Sequence, residues 1–185
     1  AATEALNVSG TGTLSAVTTS NLTATKAIKV TESAGLNLTG ATLTNLTSVD
    51  TTGTTGATTL TIDSTKTTYA GGASVDTVTF SNTTAAAKAL DLGAGDDTLV
   101  FAAGSKVAVP AVVLKGGAGD DTVSLLADDA VTFSGNTAFA AQLDSFERLQ
   151  VTGATGAQAI DLGKLGFTNH VTVAGGAGTL TLTDL

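Results

Sequence analysis

The sequence Gly116-Gly117-Ala118-Gly119-Asp120-Asp121-Thr122-Val123-Ser124 decides the fold. Its glycines let the backbone turn tightly with positive φ and direct carbonyl oxygens inward. Asp121 adds a carboxylate, and hard divalent cations prefer six to eight such oxygen ligands. The last three residues form a short strand that buries one apolar side chain, Val123. One such segment supplies half of a ligand shell, so a neighbouring turn has to complete it.

Three further copies of this pattern occur in the chain. Residues 92–100 (LGAGDDTLV) differ at the first glycine, which is Leu92. Residues 71–79 (GGASVDTVT) have Ser74 in place of the third glycine and keep the aspartate. Residues 175–180 (GGAGTL) have lost the acid, and we expect a turn without a ligand there.

The spacing of the copies predicts how they stack. Asp76, Asp97 and Asp121 lie 21 and 24 residues apart, which predicts one corner per coil and a stack of corners along one edge. Segments such as 77–80 and 98–101 carry an apolar residue at every second position, as strands with one buried face do. The sequence therefore predicts an all-β fold, a parallel β-solenoid or β-roll in which short strands and Gly/Asp turns stack.

One segment has a different periodicity. Phe139, Leu143, Phe146 and Leu149 recur at helical spacing, which predicts a minor short helix or turn within residues 138–149.

A longer repeat bears on the domain organisation. Residues 52–62 align without gaps to residues 152–162, which lie 100 residues further on. Residues 1–65 are rich in threonine and almost free of acidic clusters, and we predict a β segment without metal sites there. Residues 66–185 contain the acidic corners and form the predicted solenoid proper, with one continuous domain as the alternative.

The charge distribution limits the classes of partner. The net charge is −8, and the chain has a single arginine, which argues against binding to nucleic acid and against docking to anionic lipid. No run of about 18 apolar residues is present, so we expect no direct membrane insertion. The absence of cysteine excludes disulfides and thiolate metal sites. A cation is the natural partner.

The corner motif resembles the G-G-x-G-x-D-x-U-x nonapeptide of the RTX calcium-binding repeat proteins. It is most similar to the repeat regions of bacterial surface-layer (S-layer) proteins and large adhesins, and the resemblance covers about residues 71–124. It implies calcium-dependent folding outside the cell after type I export, and a parallel β-roll. The family's rolls repeat every nine residues, whereas these copies are separated by an extra strand and loop.

The resemblance also implies a set of ligands by position. Asp97 and Asp121 would be side-chain ligands, with Asp76 a poorer one. The main-chain ligands would be the carbonyls of Gly93, Gly95, Gly117 and Gly119. Asp96 and Asp120 would be further metal-site residues on the acidic edge, where two charges 4 Å apart repel by about 4 kcal/mol at an effective dielectric constant near 20. A calcium ion removes that repulsion, whereas the alternative interpretation is a solvated Gly/Asp turn without metal.

A catalytic function has little support in the sequence. His170 is the only histidine and lies at the start of a predicted strand, and no nucleophile-elbow motif surrounds any serine. Arg148 is the only arginine available to a lyase-type site, and a local pair with Glu147 on a helical turn is the simpler interpretation. We therefore expect no enzyme.

The expected function is structural. The sequence favours a calcium-binding segment of a secreted, self-assembling protein of the bacterial cell surface, with calcium ions and copies of itself in a surface lattice as partners. The alternative is a calcium-rigidified spacer or ligand-binding module of a type I-secreted adhesin. Threonine-rich strands and a single tyrosine favour the lattice, because binding sites usually recruit Tyr, Trp and Arg.

Overall fold

The computed structural model describes residues 4–15, 22–101, 107–167 and 170–184. Within these ranges the backbone is dominated by short strands. In chain order they are β1 (Ala5–Val8), β2 (Thr13–Ser15), β3 (Ala27–Glu32), β4 (Gly35–Leu38), β5 (Ser48–Thr54), β6 (Thr58–Ile62), β7 (Thr68–Ala70), β8 (Asp76–Phe80), β9 (Leu90–Asp91), β10 (Thr98–Val100), β11 (Leu114–Lys115), β12 (Thr122–Leu126), β13 (Leu143–Asp144), β14 (Arg148–Ala154), β15 (Ala157–Asp161), β16 (Val171–Gly176) and β17 (Thr179–Thr183).

The strands alternate between two parallel sheets as the chain coils. The odd-numbered strands from β1 to β13 form a seven-stranded sheet, and the even-numbered strands from β2 to β16 form an eight-stranded sheet. β15 and β17 pair in a third, two-stranded sheet. All the strand pairs of the described residues are parallel, so the chain forms a β-solenoid of about eight coils. The predicted fold class is confirmed.

The core consists of apolar side chains stacked from coil to coil. In β6 and β8 every second residue is buried, as the alternating sequence predicts. One column of in-register residues is at most 1% exposed and consists of Leu38, Leu60, Val78, Leu99, Val123 and Leu149. Each fully buried side chain of this size contributes about 1.5–3 kcal/mol. A shift by one residue would expose the column, so the column fixes the register.

The helical content differs from the sequence prediction. The helices are α1 (Ala127–Phe133) and α2 (Leu162–Leu165). Of the short helix or turn predicted within residues 138–149, the turn is confirmed: a 3₁₀ turn forms at Ala140–Gln142 and strands follow it. Its apolar spacing has another cause: Leu143 pairs with Leu114 in the first sheet, and Leu149 pairs with Val123 in the second. Across the described ranges no helix is both long and apolar enough to cross a membrane.

The long repeat does not coincide with whole coils. The aligned segments 52–62 and 152–162 include parts of β5 and β14, which lie in different sheets. Both main sheets also continue across residue 65, since β5 pairs with β7 and β6 pairs with β8. The segment predicted to lack metal sites therefore shares its sheets with the segment that carries the acidic corners.

The edge that carries the acidic corners has a constant length in three successive coils. Ala70, Asp91 and Lys115 are in register at the end of the first sheet. Thr77, Thr98 and Thr122 are in register in the second sheet, so each corner connects the sheets in the same seven-residue step. Coil length nevertheless grows from 21 residues between Thr77 and Thr98 to 24 between Thr98 and Thr122. The added residues lie at the opposite edge.

Candidate metal centre

The three acidic corners, residues 71–76, 92–97 and 116–121, stack directly on one another. Ala94 and Ala118 form a parallel bridge, and the N–H of Ala118 donates to the carbonyl oxygen of Gly93 at 2.9 Å. The N–H of Ala94 donates in turn to the carbonyl oxygen of Gly72 at 2.8 Å. The spacing of the aspartates therefore predicted the stack of corners correctly.

The glycines of the second and third corners are required by their backbone and by their packing. Gly93 and Gly95 have φ of +99° and +127°, and Gly117 and Gly119 have φ of +112° and +146°. A Cβ at Gly117 would lie 2.0 Å from the carbonyl oxygen of Gly93, and one at Gly119 would lie 2.0 Å from that of Gly95. The backbones of adjacent corners therefore pack too closely for any side chain at Gly117 or Gly119.

The inner aspartates form a ladder of hydrogen bonds between coils, which we call the carboxylate ladder. The N–H of Asp97 donates to Oδ1 of Asp121 at 2.8 Å. One coil earlier, the N–H of Asp76 donates to Oδ1 of Asp97 at 2.7 Å. The carboxylates therefore point into the solenoid, and the relative exposure of Asp97 and Asp121 is 0%.

Two residues that the motif does not contain end the ladder. Oδ1 of Asp76 accepts the N–H of Thr58 at 3.0 Å. At the other end, Oε2 of Glu147 accepts the N–H of Asp121 at 2.8 Å. Glu147 follows Asp121 by 26 residues without a glycine corner of its own, so sequence inspection missed its role. The predicted local pair of Glu147 with Arg148 was wrong, because Glu147 binds Asp121 and Arg148 binds Asp120.

The second carboxylate oxygen of each ladder aspartate bears on whether the corners can hold an ion. Oδ2 of Asp97 and Oδ2 of Asp121 are buried and find no hydrogen-bond partner among the described residues. An ionised oxygen in that position is costly unless a proton or a cation compensates its charge. The two atoms belong to the corners of adjacent coils, and a buried carboxylate oxygen without a donor is the kind of ligand that a hard cation prefers. A calcium ion bound there would supply positive charge and additional oxygen coordination in place of the missing donors.

Asp76 differs from the other two aspartates. Its Oδ2 accepts the hydroxyl of Tyr69 at 2.7 Å, and the N–H of Gly72 lies 3.5 Å away. Both of its oxygens therefore have donors inside the protein. Asp76, which the sequence predicts to be the poorest ligand of the three, therefore has hydrogen-bond donors for its carboxylate without an ion.

The ladder strongly perturbs the titration of its members. Burial raises the pKa of Asp97 to about 7, and the negative charges of Asp76, Asp121 and Asp96 add to the increase. Burial also raises the pKa of Asp121, with a further contribution from the charge of Glu147. Hydrogen bonds from main-chain N–H groups oppose both shifts but do not cancel them. Without a counter-ion, Asp97 and Asp121 therefore hold their protons to a higher pH than a free carboxyl group does.

Asp96 and Asp120 lie outside the ladder, on the solvent side of the corners. Both are exposed, and the N–H of Asp120 donates to Oδ1 of Asp96 at 3.0 Å. The guanidinium of Arg148 binds Oδ2 of Asp120 at 2.6 Å. These two aspartates therefore contribute negative potential at the corner surface, and Arg148 partly neutralises it.

No protein-family model, curated protein or solved structure matches this chain. The resemblance to the RTX repeats therefore depends on the corner residues alone. Within the described ranges, no three His, Cys, Asp or Glu side chains converge as a metal-holding group. The candidate centre is instead a pair of aspartates from neighbouring coils, accompanied by glycine carbonyls.

The remaining sequence candidates lie away from this centre. The copy at 175–180 covers the end of β16, the turn at 177–178 and the start of β17, and it contains no carboxylate. His170 is exposed and precedes β16, where its carbonyl oxygen accepts the N–H of Leu149 at 3.0 Å.

Proposed function

We propose that the chain is a calcium-binding structural segment of a secreted, self-assembling bacterial cell-surface protein of the S-layer type. The observation that carries the proposal is the pair of buried oxygens, Asp97 Oδ2 and Asp121 Oδ2, in adjacent stacked corners without hydrogen-bond partners among the described residues. An ion shared by two coils stabilises only the folded state, because the two carboxylates come together only when the coils stack.

The proposed location follows from the chemistry of the ion. A site with two carboxylates and main-chain carbonyls is of the kind that binds calcium at about 10⁻⁴–10⁻³ M, as extracellular modules do. Such a site fills outside the cell and stays empty at cytosolic calcium levels. The proposal therefore couples folding of the solenoid to export, and it assigns no catalytic role to any residue.

Calorimetric titration tests the calcium-binding part of the proposal. Calcium chloride added to chelator-treated protein should give a saturable heat with a Kd near 10⁻⁴–10⁻³ M, and magnesium chloride should bind more weakly. No heat and no thermal stabilisation at millimolar calcium would refute the proposal.

The second candidate function is a calcium-rigidified spacer or ligand-binding module of a type I-secreted adhesin. It is favoured by the coil-on-coil stack itself, because two parallel sheets that run through successive coils form a stiff rod. Light scattering against protein concentration, with calcium or with a chelator, separates the two functions. Ordered oligomers or sheets that form only with calcium favour the lattice, and a monomer at all concentrations favours the spacer.

A further inference from the structure

The three corners differ in one inner residue of the preceding strand. Seven residues before each ladder aspartate, the chain places Tyr69, Leu90 and Leu114 in register in the first sheet. All three are buried, with exposures of 2%, 3% and 0%. Only the tyrosine carries a hydroxyl, so only the first corner receives a side-chain donor from this position.

The Tyr69 hydroxyl is held in position for Asp76. It lies 3.4 Å from Oγ1 of Thr51, and that hydroxyl in turn donates to the carbonyl oxygen of Ala70 at 3.1 Å. Because the Thr51 hydroxyl donates its hydrogen bond to Ala70, the Tyr69 hydroxyl donates its own to Oδ2 of Asp76, 2.7 Å away. In Asp76, a neutral hydroxyl therefore donates to Oδ2, the oxygen that has no donor in Asp97 and Asp121.

The backbone of the first corner also differs from that of the second and third corners. Gly93, Gly95, Gly117 and Gly119 all have positive φ, whereas their counterparts in the first corner, Gly72 and Ser74, do not. The N–H of Gly72 faces Asp76 Oδ2, whereas the equivalent N–H of Gly93 donates to Oδ1 of Asp91 at 3.2 Å, outside the ladder. The first corner therefore offers its aspartate two internal donors, and the second corner sends its amide elsewhere.

We propose that Tyr69 sets the number of bound ions: its hydroxyl occupies at Asp76 the place that a divalent cation takes between Asp97 and Asp121. The chain then binds a single calcium ion in the ladder, although three corners carry the aspartate. This inference rests on the proposed function and adds the stoichiometry of the site and the residue that limits it.

The decisive experiment counts calcium ions per chain in the wild type, in Ser74→Gly and in the double variant Tyr69→Phe/Ser74→Gly. Ser74→Gly completes the sequence motif at 71–76 but keeps the hydroxyl, so it is the matched control. Equilibrium dialysis with calcium chloride should give one ion for the wild type, one for Ser74→Gly and two for the double variant. Circular dichroism at saturating calcium checks that all three are folded.

The possible results separate the inference from the proposed function. Two ions in Ser74→Gly would overturn the role of Tyr69, because the motif alone would then set the count. One ion in the folded double variant, or more than one in the wild type, would also overturn it while calcium binding stands. No ion in the wild type would overturn the proposed function and the inference together.

A single substitution gives a second test that does not depend on the double variant. Asp76→Asn keeps an acceptor for the N–H of Thr58, and on this inference Asp76 is not a ligand. Calcium affinity should therefore fall only by the about two- to fivefold that loss of one neighbouring negative charge costs, with one ion still bound. Loss of calcium binding in folded Asp76→Asn would overturn the inference.

Discussion

An Asp97→Asn substitution should abolish the response of the protein to calcium and leave the calcium-free protein at least as stable as the wild type. Asparagine keeps an oxygen for the N–H of Asp76, which donates to Asp97 Oδ1 at 2.7 Å. It removes a fully buried charge whose pKa is raised to about 7 by burial and by neighbouring carboxylates. It also removes one of the two oxygens that would hold the ion.

The expected magnitude follows from a single shared site. With a Kd of about 10⁻⁴ M and about 10 mM calcium, mass action stabilises the wild type by about 2.7 kcal/mol. A change of 1 kcal/mol shifts the Tm by about 2–4 °C in a chain of this length. Calcium should therefore raise the wild-type Tm by about 5–11 °C, and it should raise the Tm of the variant by less than about 2 °C.

Thermal melts followed by circular dichroism at about pH 8, with calcium or with a chelator, measure both effects. Asp128→Asn is the matched control, because Asp128 is exposed in the first turn of α1 and lies outside the corners. It removes the same charge and should keep the full calcium shift. A normal calcium shift in Asp97→Asn would refute the shared site, and equal losses in both variants would indicate diffuse charge screening.

Three other outcomes are expected. Without calcium, the folded state holds the Asp97 proton more tightly than the unfolded state, whose carboxyl has a pKa of about 3.9. The urea concentration at the unfolding midpoint should therefore rise as the pH falls from about 8 to about 5. Calcium should reverse this slope, because protons then compete with the ion for the carboxylate. Gly117→Ala should cost more than about 2 kcal/mol of unfolding free energy, because its φ is +112° and its Cβ would lie 2.0 Å from a main-chain oxygen. Gly156→Ala, with nothing within 4 Å of its Cβ, should stay within about 0.5 kcal/mol in the same denaturation assay, and equal costs would contradict the packing argument. Arg148→Gln should tighten calcium binding about two- to fivefold in calorimetry, because it frees the charge of Asp120; weaker binding would contradict an electrostatic role for that pair.

The sequence predicted the repeating part of the structure because that part obeys a local rule. The second and third corners need glycine where φ is positive, all three corners end in an aspartate, and the spacing of Asp76, Asp97 and Asp121 reports the length of a coil. The alternation within β8 and β12 likewise reports which face is buried. These signals are periodic, and every coil repeats them.

The rest of the candidate site depends on register between coils, which a single segment does not encode. Tyr69 contacts Asp76 only because the corner folds back over seven residues, and Glu147 reaches Asp121 across a coil of different length. The helix-like apolar spacing at residues 138–149 also arises from the fold. A 3₁₀ turn followed by two short strands, β13 and β14, spaces apolar residues as an amphipathic helix would.

The sequence did not predict helix α1, because the residues at its ends are weak signals of helix start and stop. Leu126 occupies the N-cap and makes no side-chain capping bond, and the helix contains the β-branched residues Val131 and Thr132, which have lower helix propensity. Tertiary packing compensates: Phe133 stacks on Phe139 with ring centroids 4.1 Å apart. Propensity alone does not predict such a helix.

In the three coils with acidic corners, the constant seven-residue step at the acidic edge forms a regular spine, and the variable length at the opposite edge forms an adaptable rim. Extra residues can enter the rim, as α1 does after β12, without changing the registers that align Thr77, Thr98 and Thr122. Short extended peptides inserted at the rim would therefore be displayed at intervals of one coil, about 4.8 Å along the axis, while the spine continues undisturbed beneath them.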